Sequence, residues 1–156
     1  MKADIDRQIS QYCALLREWN AAYEKQARAA GLNYTSLQVL SAIYSLEDCT
    51  QKCIAERCFL PRQTVNSIVT QFFRRGWIEM KERAEDRRTK EIRLTPEGET
   101  FASRTLQGIR ESERQAMGEL SEEQRRQLLE TTRLYISRCR QTVAELSGEA
   151  GKNSGK

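Results

Sequence analysis

Ile5, Ile9, Tyr12, Cys13, Leu16, Trp19 and Tyr23 recur at steps of three and four, the spacing of one apolar helical stripe. The stripe predicts a helix over residues 4 to about 29, ended by Gly31. A second helix begins near Thr35, with Leu37, Val39, Leu40, Ile43, Tyr44 and Leu46 apolar almost all round, so it belongs at the centre. Asp48 or Thr50 offers an N-cap to a short helix through Arg57. The next helix opens at Leu60-Pro61-Arg62-Gln63-Thr64-Val65 and carries Val65, Ile68, Val69 and Phe72 on one face. Arg62, Gln63, Asn66, Ser67, Thr70 and Gln71 fall on the other side, where they can meet a partner. Arg75-Gly76-Trp77 ends that helix.

The period then changes to two. Ile78 and Met80 alternate with Glu79 and Lys81, a polar tip runs from Arg83 to Arg88, and Ile92 and Leu94 resume the alternation, which reads as a hairpin. Thr95-Pro96-Glu97 is a helix start, with Thr at the cap, Pro at the first helical position and an acid in the first turn. Gly118 is expected to break that helix. Ser121 and Gln124 form a capping box for a last helix striped with Leu128, Leu129, Thr132, Tyr135, Ile136, Cys139, Val143 and Leu146. Gly, Ser, Lys and Asn dominate Ser147 to Lys156, which is expected to be disordered.

The expected fold is mainly α with a small β-hairpin wing: a winged helix-turn-helix with long N- and C-terminal dimerisation helices. Its parts are an N-terminal dimerisation helix at residues 1–30, the winged module at 31–98, C-terminal dimerisation helices at 99–146 and a tail at 147–156. The two long helices carry apolar stripes that the small central module cannot bury alone. Packing against a second copy covers them, and a homodimer also suits a palindromic duplex, which two recognition helices read about one turn apart.

Charge sharpens the picture. The net charge is +4, yet residues 57–93 alone hold ten Lys/Arg against five Asp/Glu. The excess therefore sits on the winged segment, as expected of a face that meets phosphates. Polar, hydrogen-bonding side chains on one helix beside an arginine-tipped hairpin suit double-stranded DNA. The alternative is a winged protein-interaction module without DNA binding, although a protein-binding wing has no need of clustered arginine.

An enzyme is disfavoured. The chain has no histidine, no Gly-rich phosphate loop and no nucleophile–base pair at motif spacing. Cys49, Cys53 and Cys58 are spaced by four and five, without a fourth ligand for zinc, so neither a metal nor another cofactor is expected. The five cysteines, the polar start and the lack of a long apolar run point to reduced thiols, a cytoplasmic location and no membrane partner.

The run Asp86-Arg87-Arg88-Thr89-Lys90-Glu91-Ile92-Arg93-Leu94-Thr95-Pro96-Glu97-Gly98 resembles the wing signature of the MarR family of bacterial transcription regulators, D-x-R followed by an alternating strand and L-T-x-x-G. Leu60 to Ile78 is similar to that family's recognition helix and its glycine exit, and the resemblance extends over roughly residues 5–146. It implies a dimeric regulator, a repressor in the usual case, with the second helix of the motif in the major groove and Arg88 in the minor groove. Asp86 would then hold the Arg88 guanidinium, and Arg83 would meet a phosphate. On the recognition helix, Pro61, Arg62, Gln63 and Thr64 form the N-terminal turn, suited to a phosphate, while Asn66, Ser67 and Gln71 line the exposed face. Arg62 can read guanine, and Gln63 or Asn66 adenine. Many relatives carry arginine where this chain has Ser67 and Gln71, so the operator sequence does not transfer.

The resemblance also implies release from DNA by a signal. One form is a small aromatic or phenolic effector, for which Tyr12, Trp19, Tyr23 and Tyr44, with Tyr34 nearby, are the candidate lining. The other is thiol oxidation. Aligning Leu32-Asn33-Tyr34-Thr35 with the peroxide-sensing branch puts its cysteine near Gln11, and the two-residue offset turns Cys13 about 200 degrees around the helix. Cys58 is the second candidate thiol, with Arg57 and Arg62 expected to lower its pKa.

Overall fold

The computed structural model describes residues 2–82 and 90–153. The elements run α1 (Lys2–Ala29), α2 (Tyr34–Ser45), α3 (Gln51–Cys58), α4 (Arg62–Arg74), β1 (Ile78–Glu82), β2 (Lys90–Leu94), α5 (Pro96–Glu119) and α6 (Glu122–Asn153). They divide into two compact units, Met1–Arg110 and Glu111–Lys156. The boundary between them falls inside α5, where Ala102, Leu106 and Ile109 are buried in the core of the first unit. Arg110 closes that stretch, its guanidinium 4.7 Å from the Tyr44 ring centroid and donating to the Ser45 hydroxyl at 3.0 Å.

The core of the first unit joins Leu37, Leu40 and Ile43 of α2, Ile54 of α3, Val65, Ile68, Val69 and Phe72 of α4, and Ile78 and Ile92 of the hairpin. Side-chain caps set the helix starts. Asn33 accepts from the Ser36 N–H at 2.8 Å, so α2 begins at Tyr34, one residue before the position expected. Of the two caps proposed for α3, Thr50 is the one used, accepting from the Cys53 N–H at 3.2 Å.

Three helix ends share one geometry. The N–H of Leu32 donates to the Ala27 carbonyl, that of Leu60 to Ala55 and that of Trp77 to Phe72, the six-to-one bond that follows a left-handed residue. The left-handed residues are Gly31, Phe59 and Gly76, with φ of 71°, 53° and 72°. Glycine adopts this conformation freely, whereas a residue with a Cβ loses about 1–2 kcal/mol.

β1 and β2 pair antiparallel with Ile78 opposite Leu94 and Met80 opposite Ile92, so the alternation seen in the sequence becomes one apolar face. The segment before α3 adds to the sheet. The Ile92 N–H donates to the Cys49 carbonyl at 2.7 Å, and Thr50 bridges Glu91. Thr95 joins hairpin to helix: its hydroxyl oxygen accepts from the Gly98 N–H at 3.0 Å, and its O–H donates to the Gly76 carbonyl at 2.7 Å.

In the second unit, Gly118 does not break its helix; α5 continues to Glu119. A glycine costs a helix only about 1 kcal/mol, and the stop comes from Ser121. That residue and Gln124 make both bonds of the capping box, at 2.8 and 3.2 Å. α6 runs from Glu122 to Asn153.

Most apolar stripe residues of α1 and α6 stay open. Within α1 only Ala27 is buried, and Ile5, Ile9, Leu16 and Trp19 are exposed, as are Leu128, Leu129, Tyr135, Ile136, Val143 and Leu146 of α6.

Candidate nucleic-acid interface

α4 divides as its sequence predicts. Val65, Ile68, Val69 and Phe72 are buried, while Pro61, Arg62, Gln63, Asn66, Ser67 and Gln71 are exposed and Thr64 is half-buried. Thr70 turns its hydroxyl back onto the Asn66 carbonyl at 2.8 Å, so that hydroxyl is committed to the helix. Pro61 caps the helix without a side-chain bond, having no oxygen to offer the first-turn N–H groups. Those groups and Arg62 therefore share one end of the helix.

Beside that end, Thr50, Gln51, Lys52, Arg62, Met80, Lys90 and Ile92 line a recess of about 340 Å³. The hairpin supplies one wall, α3 another and α4 the third. Lys52, Arg62 and Lys90 bring three cations to it, and a duplex phosphate is the complementary partner. Sequence reasoning singled out Arg62 but not Lys52 or Lys90. One signal was available for Lys52: a cation in the first turn opposes its own helix dipole, so it sits there at a cost to α3. Arg93, by contrast, is committed to Glu91 at 2.7 Å; the hydrogen bond from its guanidinium to that carboxylate raises its pKa.

The wing tip assignments Arg83, Asp86 and Arg88 lie outside the described residues. The base of the wing is firmly placed. Trp77 stacks on Phe101 at 3.9 Å between centroids, lies 5.5 Å from Phe72, and has the Arg75 guanidinium 4.8 Å from its ring.

The aromatic candidates separate into two places. Trp19 stacks on Tyr23 at 5.2 Å, and Tyr23 meets Tyr34 at 5.7 Å, while Tyr44 is engaged with Arg110 instead. Tyr12 is half-buried on α1. The thiols are all free; Cys49 is buried, Cys13, Cys53 and Cys58 are half-buried, and Cys139 is exposed. Burial pushes Cys49 up to about 12, and the neighbouring Cys53, Cys58 and Glu91 add to the effect. Burial also raises Cys58, outweighing the attraction of Arg57. This reverses the direction expected from its basic neighbours, and Cys58 lacks the lowered pKa of a reactive thiol.

A recognition helix with a polar outer face, a second helix crossing behind it and a paired hairpin define a winged helix-turn-helix. A model of the MarR family matches residues 30–89. The transcriptional repressor MprA of Escherichia coli K12 is 30% identical over 119 residues, which cover 75% of this chain and 68% of MprA. The chain belongs to the MarR family, whose members are transcription regulators and not enzymes.

Solved structures agree on the fold. A MarR family regulator from Neisseria meningitidis is 24% identical, with a TM-score of 0.75, over 88% of this chain and 97% of its own. MepR of S. aureus in complex with DNA is 22% identical, with a TM-score of 0.69, over 81% and 97%. A MarR/EmrR family regulator from Acinetobacter sp. ADP1 is 25% identical, with a TM-score of 0.67, over 90% and 98%. Among the described residues, no helix is long and apolar enough to cross a membrane.

Proposed function

We propose that this chain is a sequence-specific DNA-binding repressor that acts in the cytoplasm as a homodimer on a pseudo-palindromic operator. The observation that carries the reading is the continuity between the exposed polar face of α4 and the recess holding Lys52, Arg62 and Lys90. α4 enters the major groove. Its first turn and the recess take backbone phosphates, while Gln63, Asn66, Ser67 and Gln71 face the base edges. Arg88, steadied by Asp86, enters the minor groove, and Arg83 meets a phosphate. The likeness of the fold to MepR, solved with DNA, and the kinship with the repressor MprA support this reading.

The open stripes on α1 and α6 support the dimer, since a second copy would remove their apolar surface from water. For the signal, a small aromatic or phenolic effector is favoured over thiol oxidation. Trp19, Tyr23 and Tyr34 already form a run of rings, whereas burial raises the Cys58 pKa, the direction opposed to an activated thiol.

The test is fluorescence-anisotropy binding to the promoter region beside the protein's own gene, with the wild type and Arg88→Ala at two salt concentrations. Tight, salt-sensitive binding weakened by Arg88→Ala is the expected result. Binding no better than to a random duplex, by both proteins, counts against the reading.

A further inference from the structure

Arg74 lies in the last turn of α4 and is exposed. At about 100 degrees per residue it falls within roughly 20 degrees of Gln63 and Ser67, on the side away from the buried Val65, Ile68 and Phe72. Its neighbour Arg75 lies 4.8 Å over the Trp77 ring, whereas no ion pair holds Arg74 among the described residues. The cations of the recess stand at the other end of the same helix, which begins at Arg62. From Arg62 to Arg74 the axis advances about 18 Å at the usual rise per residue. The major groove is only about 12 Å wide. A helix of this length seated in it by its outer face therefore brings its two ends to opposite phosphate walls.

Those ends are not equivalent. The first turn offers N–H groups to a phosphate, while unpaired carbonyls make the last turn a negative end that repels one. A backbone can approach that end only across a cation, and Arg74 is what the outer face of α4 presents there.

We propose that Arg74 binds a phosphodiester oxygen of the strand opposite to the one held at the recess, so that α4 clamps the major groove between its two ends. The inference rests on the DNA-binding reading above and adds a phosphate site at the end of the helix where none has been assigned.

The experiment uses full-length protein and a duplex enriched by the wild type from a random pool. Arg74→Gln is expected to bind about 10-fold more weakly and to flatten the salt slope by about 1, with its base preference unchanged. Arg74→Lys keeps the charge and should keep the slope. Replacing single phosphates by uncharged methylphosphonates then locates the contact. One such position should weaken the wild type and leave Arg74→Gln unaffected, and it should lie on the strand opposite to the position that behaves in this way with Arg62→Ala. A cation in the last turn also steadies its own helix through the dipole. A lower melting temperature in Arg74→Gln with an unchanged slope would assign Arg74 that role alone and overturn the proposal, as would two phosphate positions on one strand. An intact slope in Arg74→Gln beside a flattened one in Arg62→Ala removes Arg74 and leaves the regulator reading standing. Failure of the wild type to enrich any duplex removes both.

Discussion

A Cβ placed on Gly98 would stand 1.8 Å from the Trp77 carbonyl oxygen and 2.6 Å from its carbonyl carbon. The first turn of α5 therefore rests directly on the backbone that leads into β1, and backbone cannot step aside as a side chain can. Gly98→Ala is expected to destabilise the fold by about 3 kcal/mol, at the upper end for an overpacked contact. Gly108 lies on the same helix, and a Cβ there meets nothing within 4 Å. Gly108→Ala should stabilise by roughly 0.5–1 kcal/mol. Chemical denaturation of the pair checks the geometry, and equal effects of like sign would contradict it.

Arg62 and Lys90 come from different elements to one recess. If each meets a phosphate, Arg62→Ala and Lys90→Ala should each weaken binding to operator and random duplexes alike and flatten the salt slope by about 1. Gln63→Ala should instead lose discrimination at one base pair, by about 1–3 kcal/mol, with its slope intact. Anisotropy titrations across salt separate the two behaviours.

Leu16 and Trp19 on α1, and Ile136 and Val143 on α6, are exposed although all are strongly apolar. Placing aspartate at Leu16 or at Ile136 should shift the protein from dimer to monomer in sedimentation equilibrium and lower its melting temperature. Wild-type protein that sediments as a monomer at micromolar concentration would remove the dimer from the proposal.

Cys49 has its pKa raised from 9.0 to about 12, chiefly by burial. Between those values the folded chain holds a proton that the unfolded chain releases, so stability falls as pH rises. The contribution is complete below pH 9 and is lost as pH climbs toward 12. At pH 8, iodoacetamide should reach the buried Cys49 only after unfolding. Peptide mapping reads this directly, and rapid labelling of Cys49 in the native state would refute its burial.

The elements were legible because each depends on residues within a turn or two of one another. The stripe from Ile5 to Tyr23 yielded α1, and the change to period two at Ile78 yielded the hairpin. Thr95 and the Ser121–Gln124 box marked helix starts through bonds that span three residues. Gly118 misled because a single glycine is a weak breaker beside the stronger local signal at Ser121. For α4, the division into buried and exposed faces also followed from spacing alone. Apolar residues three and four apart claim one side of a helix and leave the positions between them on the other, where the proposed DNA face lies.

Relations between distant segments were not legible. Nothing local tells that Cys49 and Thr50 pair with β2, since a pairing this short has no period. Lys52 and Lys90 became candidates only when folding brought α3 and the hairpin to the same recess as Arg62. The direction of the Cys58 shift depended on burial, which neighbouring arginines in the sequence cannot report. By itself the sequence determined the helices, the hairpin, their caps and the faces they present, because spacing and hydrogen bonds of a few residues set those. Tertiary packing alone decided which cations converge, which thiols are shut away and which apolar stripes remain uncovered, because each depends on segments placed together across the chain.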